Sequence, residues 1–239
     1  MDVTVSPVKL KYAIAQSLEV DGVNIAYTYL KVKVQNLEAP KTVDILYKDS
    51  SGAWVTAPID LSSNYGDYEV FESINAPYAA EFAIRYTADG IDYWDSNYGA
   101  NYKLVSNKDN IIGANVILNK ATVKTDINSG AFWLEGEIYV KKISFNKRIG
   151  IIFSGDDGNS WTETNATYQG VEIEGAYDII FNPAVEVWKF KTPAQNYPVE
   201  PDYFRLAVYY KNDDTGEAYW DNNFGQDYKV SKVDGSTIE

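Results

Sequence analysis

The chain has 239 residues, 45% of them hydrophobic, which is enough for two domains with packed cores. Its formal net charge of -13 argues against nucleic acid and anionic membranes as partners, because both need a basic counter-surface. The absence of Cys and His excludes thiol nucleophiles, Cys or His zinc sites and imidazole-based catalysis. No apolar run is long enough to cross a bilayer, so no membrane insertion is expected.

Polar and apolar residues alternate along much of the chain, for example at residues 30–34 and 135–140. Such alternation predicts strands with one buried face, whereas no window shows the apolar stripe of a helix. Turn signals rich in Gly, Asp and Asn follow at short intervals, at residues 48–52, 155–159 and 212–216. The sequence therefore predicts an all-β chain of antiparallel sandwiches.

A twelve-residue motif occurs twice: YWDSNYGANYKL at residues 93–104 and YWDNNFGQDYKV at residues 219–230. Two copies about half a chain apart indicate a duplicated module. We place the boundary in the polar stretch 106–110, which gives a first domain of residues 1–107 and a second of residues 108–239. An aromatic residue kept beside Asp and Asn is more typical of a recognition surface than of a core strand.

The motif and a Trp after an earlier turn supply a candidate ligand-binding surface in each copy. Indole rings suit the C–H face of a pyranose, and neighbouring amides can bond its hydroxyls. The candidates are Trp54, Trp94, Asn97 and Asn101 in the first copy and Trp161, Trp220, Asn223 and Asp227 in the second. The alternative is that Trp94 and Trp220 are core residues, since Trp is usually well buried.

The chain resembles carbohydrate-binding module family 21, which comprises starch-binding domains. The resemblance rests on the repeated aromatic-Asp-Asn motif and on residues 138–148, a strand-like segment followed by Asp, Gly and Asn residues and a Trp. It covers nearly the whole second copy and, in the first copy, mainly residues 43–54 and 82–104. It implies two tandem antiparallel immunoglobulin-like β-sandwich domains that bind α-1,4-glucans without cleaving them.

The resemblance also assigns residues to two sites in each domain. The first site would use Trp54 with Trp94, and Trp161 with Trp220. A third aromatic residue of that site falls on Ala83 and Ala207, which implies a smaller platform. The second site would use Phe145, Lys147 and Tyr168 in the second domain. In the first domain Ala39 replaces the aromatic residue, although Lys41 remains, so we expect that site to be lost or weakened there.

No residue pattern indicates catalysis, a metal site or a cofactor. Asp95 and Asp221 are the best paired carboxylates, but we expect them to bond loop backbone rather than substrate. Residues 156–159 lack the full spacing of a calcium loop. Residues 142–145 fit a loose phosphatase-docking pattern, but their predicted place within a strand favours a structural role.

The expected partners are starch or a related α-glucan and a larger amylolytic protein or assembly. Acidity and the lack of Cys and His favour an extracellular or cell-surface location, and a Met directly before a strand-like segment suggests that a secretion signal was removed. Two alternatives remain open: a protein-interaction or adhesion module pair, in which the exposed aromatic residues meet another protein, and a scaffold piece of a larger amylase.

Overall fold

A computed structural model of the chain describes residues 6–104, 109–170 and 184–239. Across these ranges the chain is almost entirely β, with antiparallel pairing throughout and a single 3-10 turn at Asn223–Gly225. The predicted all-β sandwich class is therefore confirmed. Within the described ranges, no helix has the length and apolar character needed to cross a membrane. The chain divides into two compact units, which meet in sequence between Ala114 and Asn115.

Unit 1 is a sheet that folds back on itself. Its strands are β1 Val8–Val20, β2 Val23–Gln35, β3 Lys41–Lys48, β4 Trp54–Asn64, β5 Tyr68–Pro77, β6 Glu81–Ala88, β7 Ile91–Asp95, β8 Tyr102–Lys103 and β9 Asn110–Ile112. The fold runs through the long strand β4, whose first part pairs with β3, up to Ile59, and whose second part pairs with β5 from Asp60 onward. Buried side chains of β1, β2 and β5 pack with those of β3 and β6 in one core.

Unit 2 contains two five-stranded sheets. The strands are β10 Val116–Thr125, β11 Phe132–Lys141, β12 Lys147–Ser154, β13 Thr162–Asn165, β14 Thr167–Gly170, β15 Val185–Lys191, β16 Tyr203–Asn212, β17 Ala218–Asp221, β18 Tyr228–Ser231 and β19 Thr237–Ile238. One sheet has the order β14-β15-β11-β10-β19, and the other has the order β13-β12-β16-β17, with β18 also paired to β16.

The two units share their strand pairing in detail. In each unit the first strand pairs with the second across a one-residue bulge, which follows Leu10 in β1 and Leu118 in β10. In each unit a short last strand also pairs with the first strand. The last strand of unit 1, β9, begins at Asn110, which lies after the expected domain boundary at residue 107.

One sequence expectation about local structure is wrong. Residues 142–145, expected to lie within a strand, belong to the loop of residues 142–146 between β11 and β12. The strand ends at Lys141 because the side chains that follow are bonded to another loop: Ser144 and Asn146 both donate to the carboxylate of Asp214, at 2.6 and 2.7 Å. The resulting loop places the phenyl ring of Phe145 in solvent.

Candidate functional site

The outer face of the β13-β12-β16-β17 sheet in unit 2 carries a ring pair built on a glycine. Tyr209 lies opposite Gly150 on one side and Trp220 on the other, and directly opposed residues project on the same face. A Cβ at Gly150 would lie 2.5 Å from the Tyr209 hydroxyl oxygen, so only glycine lets this ring lie flat on β12. The Tyr209 hydroxyl donates to Asn165 at 2.8 Å, and its ring centroid is 5.6 Å from that of Trp220. Tyr209 is thus a buried support for an exposed indole.

Trp161 lies on the same sheet face, near the position of Arg205, which is four residues from Tyr209 along β16. Trp161 directly precedes Thr162, the residue of β13 that pairs with Phe153. Since strand side chains alternate with a period of two, Arg205 and Tyr209 share a face. The Arg205 guanidinium lies 5.9 Å from the Trp161 ring centroid, as in a cation–π contact.

Unit 1 has the same arrangement, with a charged side chain beside each of its two indoles. Trp94 lies opposite Arg85, which pairs with Asp44 at 2.8 Å. Trp54 lies opposite Lys48, whose ammonium group is 5.3 Å from the indole centroid. The two units therefore place two indoles at equivalent register positions on one sheet face.

All four indoles are about half exposed, which rules out the alternative that Trp94 and Trp220 are core residues. The exposed fractions are 46% for Trp54, 45% for Trp94, 39% for Trp161 and 44% for Trp220. Ala83 on β6 and Ala207 on β16 each lie midway, along the strand, between the positions of the two indoles of their unit. The absent third aromatic residue thus leaves an alanine floor between two indoles that lie three strand spacings apart across the sheet and four residues, about 13 Å, apart along the strands.

The polar residues predicted to contact ligand mainly brace the loop that carries the motif. Asn97 and Asn223 adopt left-handed backbone conformations, with φ of 50° and 51°. Each donates from its amide nitrogen to a backbone carbonyl four residues on, that of Asn101 or Asp227, at 3.2 Å. Asn223 is also buried, so the structure gives it a loop-closing role rather than a ligand-facing position.

Asn101 and Asp227 tie the same loop to the sheet, with opposite chemistry in the two units. In unit 1 the Asn101 amide donates to the Glu81 carboxylate at 2.9 Å. In unit 2 Arg205 occupies the position of Glu81 and donates to the Asp227 carboxylate at 2.8 Å. Both side chains are partly exposed.

The motif aspartates are structural, as expected from the sequence. Asp95 accepts from the backbone N–H of Leu10 at 2.7 Å and from the Tyr102 hydroxyl at 2.7 Å. Burial raises the pKa of Asp95 above its ordinary value, although both hydrogen bonds lower it. Asp221 repeats the arrangement with Leu118 and Tyr228, at 3.0 and 2.7 Å. These carboxylates therefore join the motif to the bulge of the first strand and do not face solvent as a catalytic pair.

The second predicted site lies at the loop that carries Phe145. This phenyl ring is 95% exposed, although its two neighbours are firmly held by Asp214. The same two hydrogen bonds lower the pKa of Asp214, with the Ser144 hydroxyl as the larger cause. The loop therefore presents an aromatic ring to water, where a ligand could contact it.

Lys147 is a structural residue rather than a free ligand donor. Its side chain is 5% exposed, and its ammonium group donates to Glu186 at 2.9 Å and to the Ser144 carbonyl at 2.6 Å. In unit 1 Lys41 on β3 pairs with Glu69 on β5 at 2.7 Å, and these strands correspond to β12 and β15 of unit 2. This ion pair explains why Lys41 is present in unit 1 even though Ala39 replaces the aromatic residue.

Tyr168 is half exposed and belongs to an aromatic pair that the sequence did not reveal. Its ring meets that of Trp188 edge-on, with centroids 5.6 Å apart, across the β14–β15 pairing. The Trp188 indole donates to Glu186 at 3.0 Å, which is the carboxylate that also holds Lys147. Hydrogen bonds and ring contacts thus join Tyr168 to the Phe145 loop. Nothing in the alternation of β15 marks Trp188 as a surface residue.

The sequence of unit 2 matches a known family. Residues 110–231, just over half of the chain, match the family model described as carbohydrate/starch-binding module, family 21. The chain belongs to this family. It is therefore a carbohydrate-binding protein of the starch-binding class.

Individual relatives are similar over about a third of the chain. The Drosophila melanogaster protein named glycogen-binding subunit 76A is 36% identical over 30% of this chain and 12% of its own length. Glucoamylase 1 of Rhizopus oryzae is 34% identical over 33% of this chain and 14% of its own length. Human protein phosphatase 1 regulatory subunit 3B is 36% identical over 31% of this chain and 30% of its own length. The chain thus spans less than a third of the length of each of these relatives.

One solved structure is also similar. The starch-binding domain of Rhizopus oryzae glucoamylase, solved with β-cyclodextrin and maltoheptaose, has 25% sequence identity to this chain. The match covers 49% of this chain and 93% of that domain, with a TM-score of 0.33.

Proposed function

We propose that each unit binds an α-1,4-glucan on the sheet face that carries its two exposed indoles. The observation that carries this proposal is the equivalent placement of Trp54 and Trp94 in unit 1 and of Trp161 and Trp220 in unit 2, all about half exposed. Family 21 membership of residues 110–231 supports a starch-like ligand. The named glycogen-binding and glucoamylase relatives support the same class of ligand.

The geometry suits a chain of glucose units rather than a single sugar. Two indoles that lie three strand spacings apart across the sheet and about 13 Å apart along the strands, with alanine between them, can each stack on one pyranose while the units between pass over the floor. Stacking buries the C–H face of each pyranose against an indole. Each shallow site is expected to be weak, with Kd between about 1 mM and about 1 μM, because few contacts offset the cost of ordering.

The Phe145 loop and the pair Tyr168 and Trp188 form a second proposed contact surface on unit 2. Phe145 supplies a water-facing ring, whereas Lys147 supplies the ion pair that fixes the loop. Unit 1 has no aromatic residue at the position of Phe145, since Ala39 occupies it, so we assign this surface to unit 2 alone.

We further propose that the two units act as a tandem pair on one polymer. Binding of the second unit is then intramolecular, and the gain in avidity can reach on the order of 100-fold when the linker geometry allows both sites to engage. This benefit requires a long ligand, so granular starch should retain the protein more strongly than a short maltooligosaccharide does.

The proposed role is non-catalytic. The duplicated carboxylates Asp95 and Asp221 are committed to backbone and tyrosine hydrogen bonds, so they are not placed to flank a glycosidic bond. The chain would instead anchor a larger amylolytic protein or assembly to its polymer. An extracellular or cell-surface location remains a prediction from composition.

Affinity electrophoresis in gels with and without soluble starch, combined with calorimetric titration of maltoheptaose, tests this function. The wild-type chain should be retarded, and Trp161→Ala with Trp220→Ala should remove most of the binding by unit 2. Trp133→Ala is the matched control, because Trp133 lies on β11, away from both proposed surfaces. Unretarded migration with no heat on titration would refute glucan binding and favour the protein-interaction alternative. Starch turnover by the purified chain would refute the non-catalytic role.

A further inference from the structure

A groove of about 630 Å³ lies at one end of unit 2, between two loops. One wall is the β12–β13 connection, which includes Gly155 and Ser160, and the other is the long connection before β16. Side chains on that second wall are mainly apolar or aromatic: Tyr197, Pro198, Val199, Pro201 and Tyr203. The volume falls within the range of small-ligand sites.

The groove depends on a loop that the fold itself does not require. In unit 2 residues 192–202 connect β15 to β16, whereas in unit 1 residues 78–80 make the equivalent connection between β5 and β6. Unit 1 therefore completes the same strand pairing with a far shorter loop. The extra chain in unit 2 packs closely: the ring of Tyr197 lies where a Cβ on Gly155 would come within 2.4 Å, and it meets Phe204 edge-on at 5.5 Å.

The opposite wall is fixed by its own hydrogen bonds. Asp156 accepts from the Ser154 hydroxyl at 2.7 Å and from the backbone and hydroxyl of Ser160 at 2.9 and 2.6 Å. Donation by Ser160 and Ser154 lowers the pKa of Asp156 to about 2. Tyr203 bridges the walls by donating to Asp157 at 2.7 Å. A ligand would therefore meet a groove that is already formed.

The groove adjoins the indole surface at Asp157, which lines the groove. Arg205, which lies over the Trp161 ring, also donates to the carbonyl and carboxylate oxygens of Asp157 at 3.3 and 3.4 Å. Gly158, on the same connection, lies close to the Trp161 indole, since a Cβ added there would be 3.7 Å from it. Trp161 is thus next to one wall of the groove.

The charge of the groove selects a class of ligand. Four carboxylates line it, those of Asp156, Asp157, Glu200 and Asp202. They disfavour anionic ligands such as phosphorylated glucans, whereas carboxylate oxygens accept hydrogen bonds from sugar hydroxyls. Tyrosine rings beside such acceptors match a neutral pyranose.

From this adjacency and chemistry we propose that the groove is an extension subsite for neutral glucose units of the α-glucan chain that stacks on Trp161. The inference rests on the proposed function of the indole surface. It makes the two units unequal, because unit 2 would hold a longer stretch of polymer than unit 1 does. Unit 2 should therefore discriminate between short and long oligosaccharides.

Calorimetric titration of the full chain tests the subsite, with Trp54→Ala and Trp94→Ala introduced to silence the proposed unit 1 site. This parent should bind maltoheptaose about five- to tenfold more tightly than maltotriose, the gain expected from one additional aromatic contact. Val199→Trp should fill the groove and reduce maltoheptaose affinity about five- to tenfold while leaving maltotriose affinity unchanged. Val199 is highly exposed, so the fold should tolerate the change, and Val233→Trp is the control at an exposed position outside the groove.

The outcomes separate the two proposals. Unchanged maltoheptaose affinity in Val199→Trp would overturn the subsite and leave the indole surface intact. No binding of either sugar by the parent would overturn the proposed function and the subsite with it. In NMR spectra, the backbone amide signals of Val199, Glu200 and Asp202 should shift with maltoheptaose and stay unchanged with maltotriose; equal shifts with both sugars, or none, would also contradict the subsite.

Discussion

In the repeated motif the aspartate stabilises the fold, whereas the neighbouring tryptophan is exposed for ligand binding. Asp221 provides the sharpest test of these separate roles. Its buried carboxylate accepts from the Leu118 N–H at 3.0 Å and from the Tyr228 hydroxyl at 2.7 Å. A hydrogen bond to a charged group contributes about 1.5–3 kcal/mol, so losing both bonds costs about 3–6 kcal/mol. Because a domain has about 5–15 kcal/mol of stability, Asp221→Ala should strongly destabilise unit 2.

Differential scanning calorimetry with urea titration measures this effect. Asp221→Ala should lower the unfolding transition of unit 2 and leave that of unit 1 in place. Asp95→Ala is the matched variant, because its carboxylate makes the equivalent bonds to Leu10 and Tyr102, and it should move the other transition.

Glucan binding supplies the second half of the test. Leu118 and Tyr228 donate to the same oxygen of Asp221, so the isosteric Asp221→Asn can keep both bonds without the charge. The folded protein should retain its maltoheptaose affinity while unit 2 loses about 1–3 kcal/mol, because hydrogen bonds to a neutral acceptor are weaker than those to a charged one. Trp220→Ala should do the reverse, with affinity lost and stability nearly kept. An Asp221→Asn variant with wild-type stability and no binding would show that the carboxylate contacts ligand, and the reasoning would fail.

Three further changes test the supports of the site. Gly150→Ala should destabilise unit 2 by about 1–3 kcal/mol, since a Cβ would lie 2.3 Å from the Thr164 carbonyl oxygen and 2.5 Å from the Tyr209 hydroxyl oxygen; an unchanged melting temperature would contradict this packing. Lys147→Met should cost about 3–5 kcal/mol in urea titrations by leaving the buried Glu186 carboxylate without its cation, and adding Glu186→Gln should recover part of the loss; equal stability of the single and double variants would argue against the ion pair. The pKa of Asp156 is lowered to about 2, so the stability from its hydrogen bonds is present above the ordinary pKa of 3.8 and is lost as pH falls through about 2; an NMR titration of this carboxyl with a midpoint near 3.8 would refute the depressed pKa.

Local patterns in the sequence predicted the strands and the exposed indoles. Alternation at residues 30–34 and 135–140 falls within β2 and β11, and the polar turns separate strands as expected. Trp54 and Trp94 could be placed at a surface because each stands beside a polar turn. Such features depend on neighbours in sequence, which a single chain displays directly.

Partners distant in sequence could not be predicted. From the sequence alone Lys147 is expected to be available for a ligand, but in the structure it pairs with Glu186, which is 39 residues away in the chain. Tyr209 supports Trp220 only because Gly150 lies opposite, on a strand far away in the chain. Residues 142–145 alternate like a strand, but tertiary bonds to Asp214 hold them in a loop.

Indole N–H signals in an NMR titration with maltoheptaose test the central claim most directly. The account predicts that the signals of the four outer-face residues shift with the ligand, while that of Trp133 stays in place; the four are Trp54, Trp94, Trp161 and Trp220. Saturable binding of maltoheptaose without a shift at any of these four indoles would contradict it.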